Sequence, residues 1–472
     1  MFAARQFHRN SFFVFLSQIV RIGANTLLFV GIARWYSAEE FGQFTTAHSY
    51  LSFFFLLADF GIDLLLVTAI ARDTNNAQTL VEKFLPLKLI FSLVGIVGMC
   101  GFAFFLDINA TTKILMVILS ITVLGNSLTT YFCSVLRGYN VFHYEAYVSI
   151  VQNVILFLIV IMISFLHLSI LYFACAFALS RFIGLLHALI LVKKKLHVVP
   201  VIVFHDIKKT IHEVLPYGIH LLFGTFFFTL DTLLISIFYG ENYVGMYQAA
   251  FKLVTLVLVM LDVLIIAATP TLSSLYHHDK KQWEFKSVIL FKVLLYLGCI
   301  IGLLFIVYPE EILTIVWGSG KFYDAIPIMK IFGVIIIIRY GMETFGTMLT
   351  TAQQQKVRMN IVITATIFNC ILNLIIIPYY QLQGAAIVSL LTNFLIAVLF
   401  ILMVCKTTFS LRTFFTVPLV ISFGFIVGAF FLIWKFNYQP ILVSIAIFIF
   451  SLLFFLSVFS KKEKQAILKY RI

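Results

Sequence analysis

The chain has 472 residues, 62% of them hydrophobic, 16% aromatic and 11% charged, with a formal charge of +13 and a mean hydropathy of +1.06. A water-soluble domain is roughly half apolar and a quarter charged, so these proportions exclude a single soluble core and make lipid the solvent. The positive balance does not point to nucleic acid, because the basic residues sit mostly in short segments between long apolar runs.

Apolar runs of about 20 residues, the length a helix needs to cross the hydrocarbon layer, recur from end to end. They predict about fourteen spans: 11–34, 43–66, 84–106, 113–136, 145–165, 169–192, 216–240, 244–269, 287–308, 326–349, 359–378, 383–405, 414–435 and 441–460. The runs are continuous and do not alternate, which implies helices and not barrel strands. The first run lacks a small-residue cleavage site and is followed at once by another, so it reads as a span and not a leader.

The intervening segments alternate in charge. One set carries about 22 basic residues, among them Arg72, Arg137, Lys193, Lys208, Lys280, Arg358 and the tail from Lys461; the other carries about four, Arg34, Lys113, Lys321 and Lys435. Both termini are therefore expected in the cytoplasm. Trp35, Trp317 and Trp434 fall at outer span ends, where an aromatic belt belongs. The longest outer segment is 309–325, and the longest inner one, 193–215, divides six spans from the rest. The expected organisation is a six-helix bundle over 1–192, a cytoplasmic connection over 193–215, a second six-helix bundle over 216–405, and two further spans with a basic tail over 406–472. No segment is large enough for a soluble catalytic domain, and no GxxxxGK[ST] run is present, so no enzyme and no nucleotide site is expected. The six cysteines lie in or beside apolar runs without CxxC spacing, so they read as buried apolar residues, with no disulfide, metal or cofactor expected.

An internal repeat is legible. Phe41-Gly42-Gln43-Phe44 aligns with Val244-Gly245-Met246-Tyr247, which sets Ala47 on Ala250 and Asp59 on Asp262. Asn153-Val154-Ile155-Leu156 aligns with Asn369-Cys370-Ile371-Leu372. Blocks with an even number of spans share one membrane orientation, which predicts parallel repeats about an axis along the membrane normal, with a substrate site between the halves.

Ionisable residues within spans are costly and normally face a partner or a wet cavity. Four cations fall mid-span: Arg21, Arg181, Lys252 and Arg339. Arg21 has no acid within four residues, so it binds an anion or pairs across helices; an arginine fork suits phosphate. Asp231 and Lys252 flank the turn at Gly240 at equal distance. They form either a buried ion pair or an anion ligand with a switchable counter-ion. Arg339 and Glu343, four apart, can satisfy each other. Asp59 and Asp262 take a shared structural or gating role. Lys88, Lys292 and Lys330, near span ends, are expected to snorkel. His48 and His220 read chiefly as hydrogen-bonded helix histidines.

Three stretches carry a family resemblance: Trp35-Tyr36-Ser37-Ala38-Glu39-Glu40-Phe41-Gly42, Ala58-Asp59-Phe60-Gly61-Ile62, and Asn373-Leu374-Ile375-Ile376-Ile377-Pro378 leading to Gly384-Ala385-Ala386. With their order and spacing, the chain resembles the multidrug/oligosaccharidyl-lipid/polysaccharide (MOP) exporter superfamily, in its polysaccharide branch of Wzx-type flippases. The resemblance implies a MATE-like all-α membrane fold of two six-helix bundles plus two extra helices. It implies a flippase in a bacterial cytoplasmic membrane that moves an undecaprenyl-pyrophosphate-linked oligosaccharide, such as an O-antigen or capsule repeat unit, by alternating access. Membrane lipid and polysaccharide polymerase or chain-length machinery are the implied partners. A cation-coupled drug antiporter of the same fold and a membrane polymerase or glycosyltransferase are the rival readings.

Overall fold

The computed structural model describes residues 20–204, 207–318 and 320–407, with the backbone alone for 216, 217 and 219–228. Helix α1 covers 20–35. It is followed by α2 (Ala38–Asp59), α3 (Ile62–Arg72), α4 (Ala77–Phe105), α5 (Ala110–Gly138), α6 (Phe142–Phe165) and α7 (Leu171–Leu196). Then come α8 (Ile207–Tyr239), α9 (Glu241–His278), α10 (Lys280–Val307), α11 (Pro309–Trp317), α12 (Ile326–Thr351) and α13 (Gln355–Thr407). Among the described residues eight helices are long and apolar enough to cross a membrane, and the bent pair α2 and α3 makes a ninth span. The chain is a multi-pass, all-helical membrane protein. The expected spans 414–435 and 441–460 lie outside the described residues.

Local chemistry explains the breaks. Ser37 opens α2 with a capping box: its hydroxyl accepts from the Glu40 amide at 3.1 Å while the Glu40 carboxylate accepts from the Ser37 amide at 3.0 Å. This satisfies amides that a helix start leaves orphaned. At the other end Phe60 and Gly61 both adopt left-handed backbone, and the chain bends by 41° before α3. The expected span over 43–66 corresponds to this bent pair, and the break at Gly61 within it was not anticipated. A second break falls where expected, between the spans 359–378 and 383–405, at Gln381 within α13 (φ 50°, ψ −134°). The short helix α11 inside the outer 309–325 segment was not anticipated.

The chain forms two compact units. The first holds the described residues up to Gln248 together with Val316–Phe322, and the second holds Ala249–Ile315 and Tyr323 onward. In the first unit α5 packs against α2, α4 and α7, and α8 packs against α2. Its apolar core gathers Leu66, Val81, Phe84, Tyr131, Leu136 and Val192. In the second, α12 packs against α10 and α13.

Two expectations about interfacial residues are corrected. Trp317 is 1% exposed, packed with Phe322 around Phe41, whereas Trp35 is exposed as a belt residue would be. The cause is that Val316–Phe322 folds onto the first unit: Arg34 Nε donates to the Val316 carbonyl at 3.0 Å, and Lys321 Nζ reaches the carbonyls of Ala33, Arg34 and Tyr36 at 3.3, 2.8 and 2.8 Å. A cation there also complements the partial negative charge at the end of α1. Lys88 does not snorkel. It is 0% exposed, with its ammonium 2.6 Å from Asp59 and 2.8 Å from Asp63. The bend at Gly61 turns both carboxylates toward it, and a buried ammonium is tolerable only when so paired. Lys292 is likewise buried, at 4% exposure, while Lys330 is exposed as expected.

Candidate functional site: a basic cavity in the first unit

A cavity of about 560 Å³ lies within the first unit, walled by α1, α2, α5, α6 and α7. Its charged lining is Arg21 from α1, Arg137 from the last turn of α5, Glu145 from the first turn of α6 and Arg181 from α7. Three guanidinium groups thus face one carboxylate.

Each arginine is held differently. Arg21 is exposed and lines the cavity from α1. Arg137 Nε lies 3.2 Å from Glu145 Oε2, with the two side chains 35% and 24% exposed. The turn at 139–141 reverses the chain between them, so the end of α5 meets the start of α6. Arg181 is 5% exposed, and its guanidinium carbon stands 4.4 Å from the Phe177 ring centre. Such stacking fixes the plane of the fork without using its N–H donors. Among the described residues Arg181 Nε has no hydrogen-bond partner, and no carboxylate lies within ion-pair distance of Arg181. A buried guanidinium with donors to spare favours an anionic guest.

Neutral polar groups complete the wall. Asn25, Asn126 and Gln152 contribute amides, while Ser52, Thr129 and Ser149 contribute hydroxyls. His48 also lines the cavity, with its ring between those of Phe29 at 5.3 Å and Phe177 at 5.6 Å. These hydroxyls and amides add neutral hydrogen-bonding groups beside the arginines.

Of the residues singled out from sequence, the structure brings Arg21 and Arg181 to one cavity wall. Asp231, also in the first unit, is 4% exposed and accepts a hydrogen bond from the Tyr247 hydroxyl at 2.7 Å. One residue on, Gln248 Nε2 reaches Thr232 Oγ1 at 2.5 Å, so paired polar contacts tie α8 to the start of α9. Lys252 and Arg339 belong to the second unit and are both half-buried. Glu343 is held by Arg358, Nη2 to Oε1 at 2.6 Å, and Arg358 also donates to Thr350 at 2.8 Å. Arg358, one of the basic residues between apolar runs, thus has a specific carboxylate partner. Asp59 sits in the Lys88 ion cluster, and Asp262 is exposed on α9. His220 lies outside the described side chains.

Sequence reasoning missed Arg137 and Glu145. Arg137 was absorbed into the count of cytoplasmic charges and Glu145 was passed over. The available signal was their placement: a last-turn cation and a first-turn acid on either side of a three-residue turn are set facing each other.

Comparison with known proteins bears on the same chain. The family model described as polysaccharide biosynthesis protein matches residues 7–276, and the model described as MatE matches 216–375. The probable low-salt glycan biosynthesis flippase Agl15 of Haloferax volcanii is 25% identical over 173 residues, 36% of this chain and 36% of that protein. The alignment therefore spans about a third of the curated relative. Among solved structures, the lipid II flippase MurJ in an inward closed conformation superposes with a TM-score of 0.73 at 15% identity, covering 94% of this chain and 97% of that one. An inward-facing multidrug resistance MATE family transporter gives 0.66 at 15% identity, covering 85% and 100%. A MOP superfamily transporter from Pyrococcus furiosus gives 0.57 at 15% identity, covering 84% and 96%. At such identities the likeness is one of fold.

Proposed function

The chain belongs to the polysaccharide biosynthesis protein family, within the polysaccharide transporter branch of the MOP superfamily, and from that premise we propose that it is a flippase for a lipid-linked oligosaccharide with an anionic head. The observation that carries this reading is the cavity in the first unit, where Arg21, Arg137 and Arg181 outnumber the single carboxylate of Glu145. A phosphate-bearing head is the guest whose desolvation such a wall offsets. Amides and hydroxyls beside the arginines suit the sugar that follows the phosphate.

Within this reading the cargo is an undecaprenyl-pyrophosphate-linked repeat unit of the O-antigen or capsule kind, carried from the cytoplasmic to the outer leaflet by alternating access. The membrane is the bacterial cytoplasmic membrane with both termini inside, and the division into two six-span blocks at 193–215 supplies the moving halves. Lys252 and Arg339 are further anion ligands contributed by the second block, and Asp231 and Glu343 are counter-ions. A polysaccharide polymerase and chain-length machinery would consume the product.

A drug antiporter on this fold would receive cations, and the arginine-rich wall opposes them. The test is deletion of the gene followed by identification of the species that builds up. A lipid-linked sugar retained on the inner leaflet, with loss of surface glycan, is the expected result. Retention of a cationic drug with surface glycan intact would overturn the proposal in favour of the antiporter.

A further inference from the structure

The carboxylate of Glu145 is a puzzle in a site meant for anions. Among the described residues it is the lone acid on a wall that carries three arginines, and it stands 3.2 Å from Arg137. Its field reaches Arg21 as well as Arg137. A side chain needed only to fill the space beside Arg137 could be a neutral glutamine, which has the same shape without the charge; the contact is an ion pair, and Arg137 Nε makes no hydrogen bond among the described residues. A full negative charge does more: it competes for the cations that an entering phosphate must bind.

The pair is also accessible. Both side chains keep a quarter to a third of their surface open, so a guest in the cavity can reach either partner. An ion pair that wet is weakly held, and a diphosphate, with more acceptor oxygens and more charge, can displace the carboxylate from it. Arg181 has no such rival among the described residues: its guanidinium stands on the Phe177 ring, with no carboxylate at ion-pair distance.

We propose that Glu145 is a tethered rival of the substrate's anion, holding Arg137 and Arg21 in place until a diphosphate displaces it and then helping to expel that diphosphate. Arg181 is the fixed ligand and the Arg137–Glu145 pair the yielding one. A transporter must release what it binds, so a built-in competitor that weakens the site favours turnover. The inference rests on the reading of this cavity as the site for a phosphate-linked lipid.

The experiment is calorimetric titration of inorganic pyrophosphate into the purified full-length protein, comparing wild type, Glu145→Gln and Arg181→Gln. Glu145→Gln should tighten binding roughly tenfold, the order expected for removing one like charge beside an anion in a partly wet site. Arg181→Gln should weaken it. In transport of a lipid-diphosphate sugar by reconstituted protein, Glu145→Gln should lower both the half-saturating concentration and the maximal rate, because release slows. If pyrophosphate binds wild type and is lost with Arg181→Gln, yet Glu145→Gln leaves affinity unchanged or lower, Glu145 is a strut and the inference fails while the anion site stands. If neither wild type nor Glu145→Gln binds pyrophosphate, the anion site itself fails. Should Glu145→Gln not fold, Glu145→Asp is the second test: the shorter tether loosens the hold on Arg137, so affinity should again rise, and a fall overturns the proposal.

Discussion

Gly42 of α2 and Gly245 of α9 face each other across the first unit in backbone-to-backbone contact. A Cβ on Gly42 would overlap the Glu241 carbonyl, and one on Gly245 would overlap the Ala38 carbonyl. These two glycines are the ones that the internal repeat aligned. Their shared reason is steric: at each, only hydrogen leaves room for the other helix.

Gly42→Ala should therefore destabilise by at least the ~1–3 kcal/mol typical of overpacking, because the obstructing atoms are main chain and cannot rotate away. Gly101→Ala, on α4 with nothing near its missing Cβ, is the control and should be neutral or slightly stabilising. Unfolding midpoints of the purified proteins check both.

The ion cluster at the bent span gives a sharper contrast. Lys88→Met leaves buried Asp63 and partly buried Asp59 without their cation and should cost roughly 3–5 kcal/mol, seen as lost yield and a lower unfolding midpoint. Adding Asp59→Asn and Asp63→Asn to Lys88→Met should recover most of that loss. If the single variant is as stable as wild type, Lys88 is not holding the bend.

Lys321 tests the outer end. Its ammonium donates to three carbonyls at the close of α1, so Lys321→Met should lower stability by about 1 kcal/mol and no more, since the site is only part-buried. Lys321→Arg should keep most of the contact. A thermal melt distinguishes them.

Within the cavity the two arginines should respond differently to lysine. Arg21→Ala and Arg181→Ala should each reduce surface glycan roughly tenfold or more in a deletion strain, the worth of a lost charge-assisted contact. Arg21→Lys should partly restore export. Arg181→Lys should restore less, because the flat stack on Phe177 orients a guanidinium and not an ammonium. Membrane levels of each variant are measured alongside by immunoblot.

Much of the fold was legible because its causes are local. Apolar run length placed the spans, and the break near Pro378 was anticipated, whereas α2 begins at Ala38, ahead of the expected 43, because Ser37 and Glu40 cap it. The bend at Gly61 was missed because hydropathy averages over a glycine whose positive φ is its important property. Arg21 and Arg181 stood out as charges in apolar helices. Arg137, Glu145 and Lys88 did not, since each sits near a span end, where a charge is ordinarily explained by nearby water. What distinguishes them is the partner brought close by folding: Glu145 for Arg137, and two aspartates for Lys88. Trp317 was misplaced for the same reason, as its burial depends on Val316–Phe322 folding back on Phe41.

The most direct measurement is transbilayer movement of an undecaprenyl-pyrophosphate-linked sugar in vesicles reconstituted with the purified protein. Wild type should speed that movement well above protein-free vesicles, and joint replacement of Arg21 and Arg181 by alanine should return it to the protein-free rate. Movement by wild type no faster than in bare vesicles, or undiminished without the two arginines, would contradict a cationic cavity that carries a phosphate-linked glycan lipid.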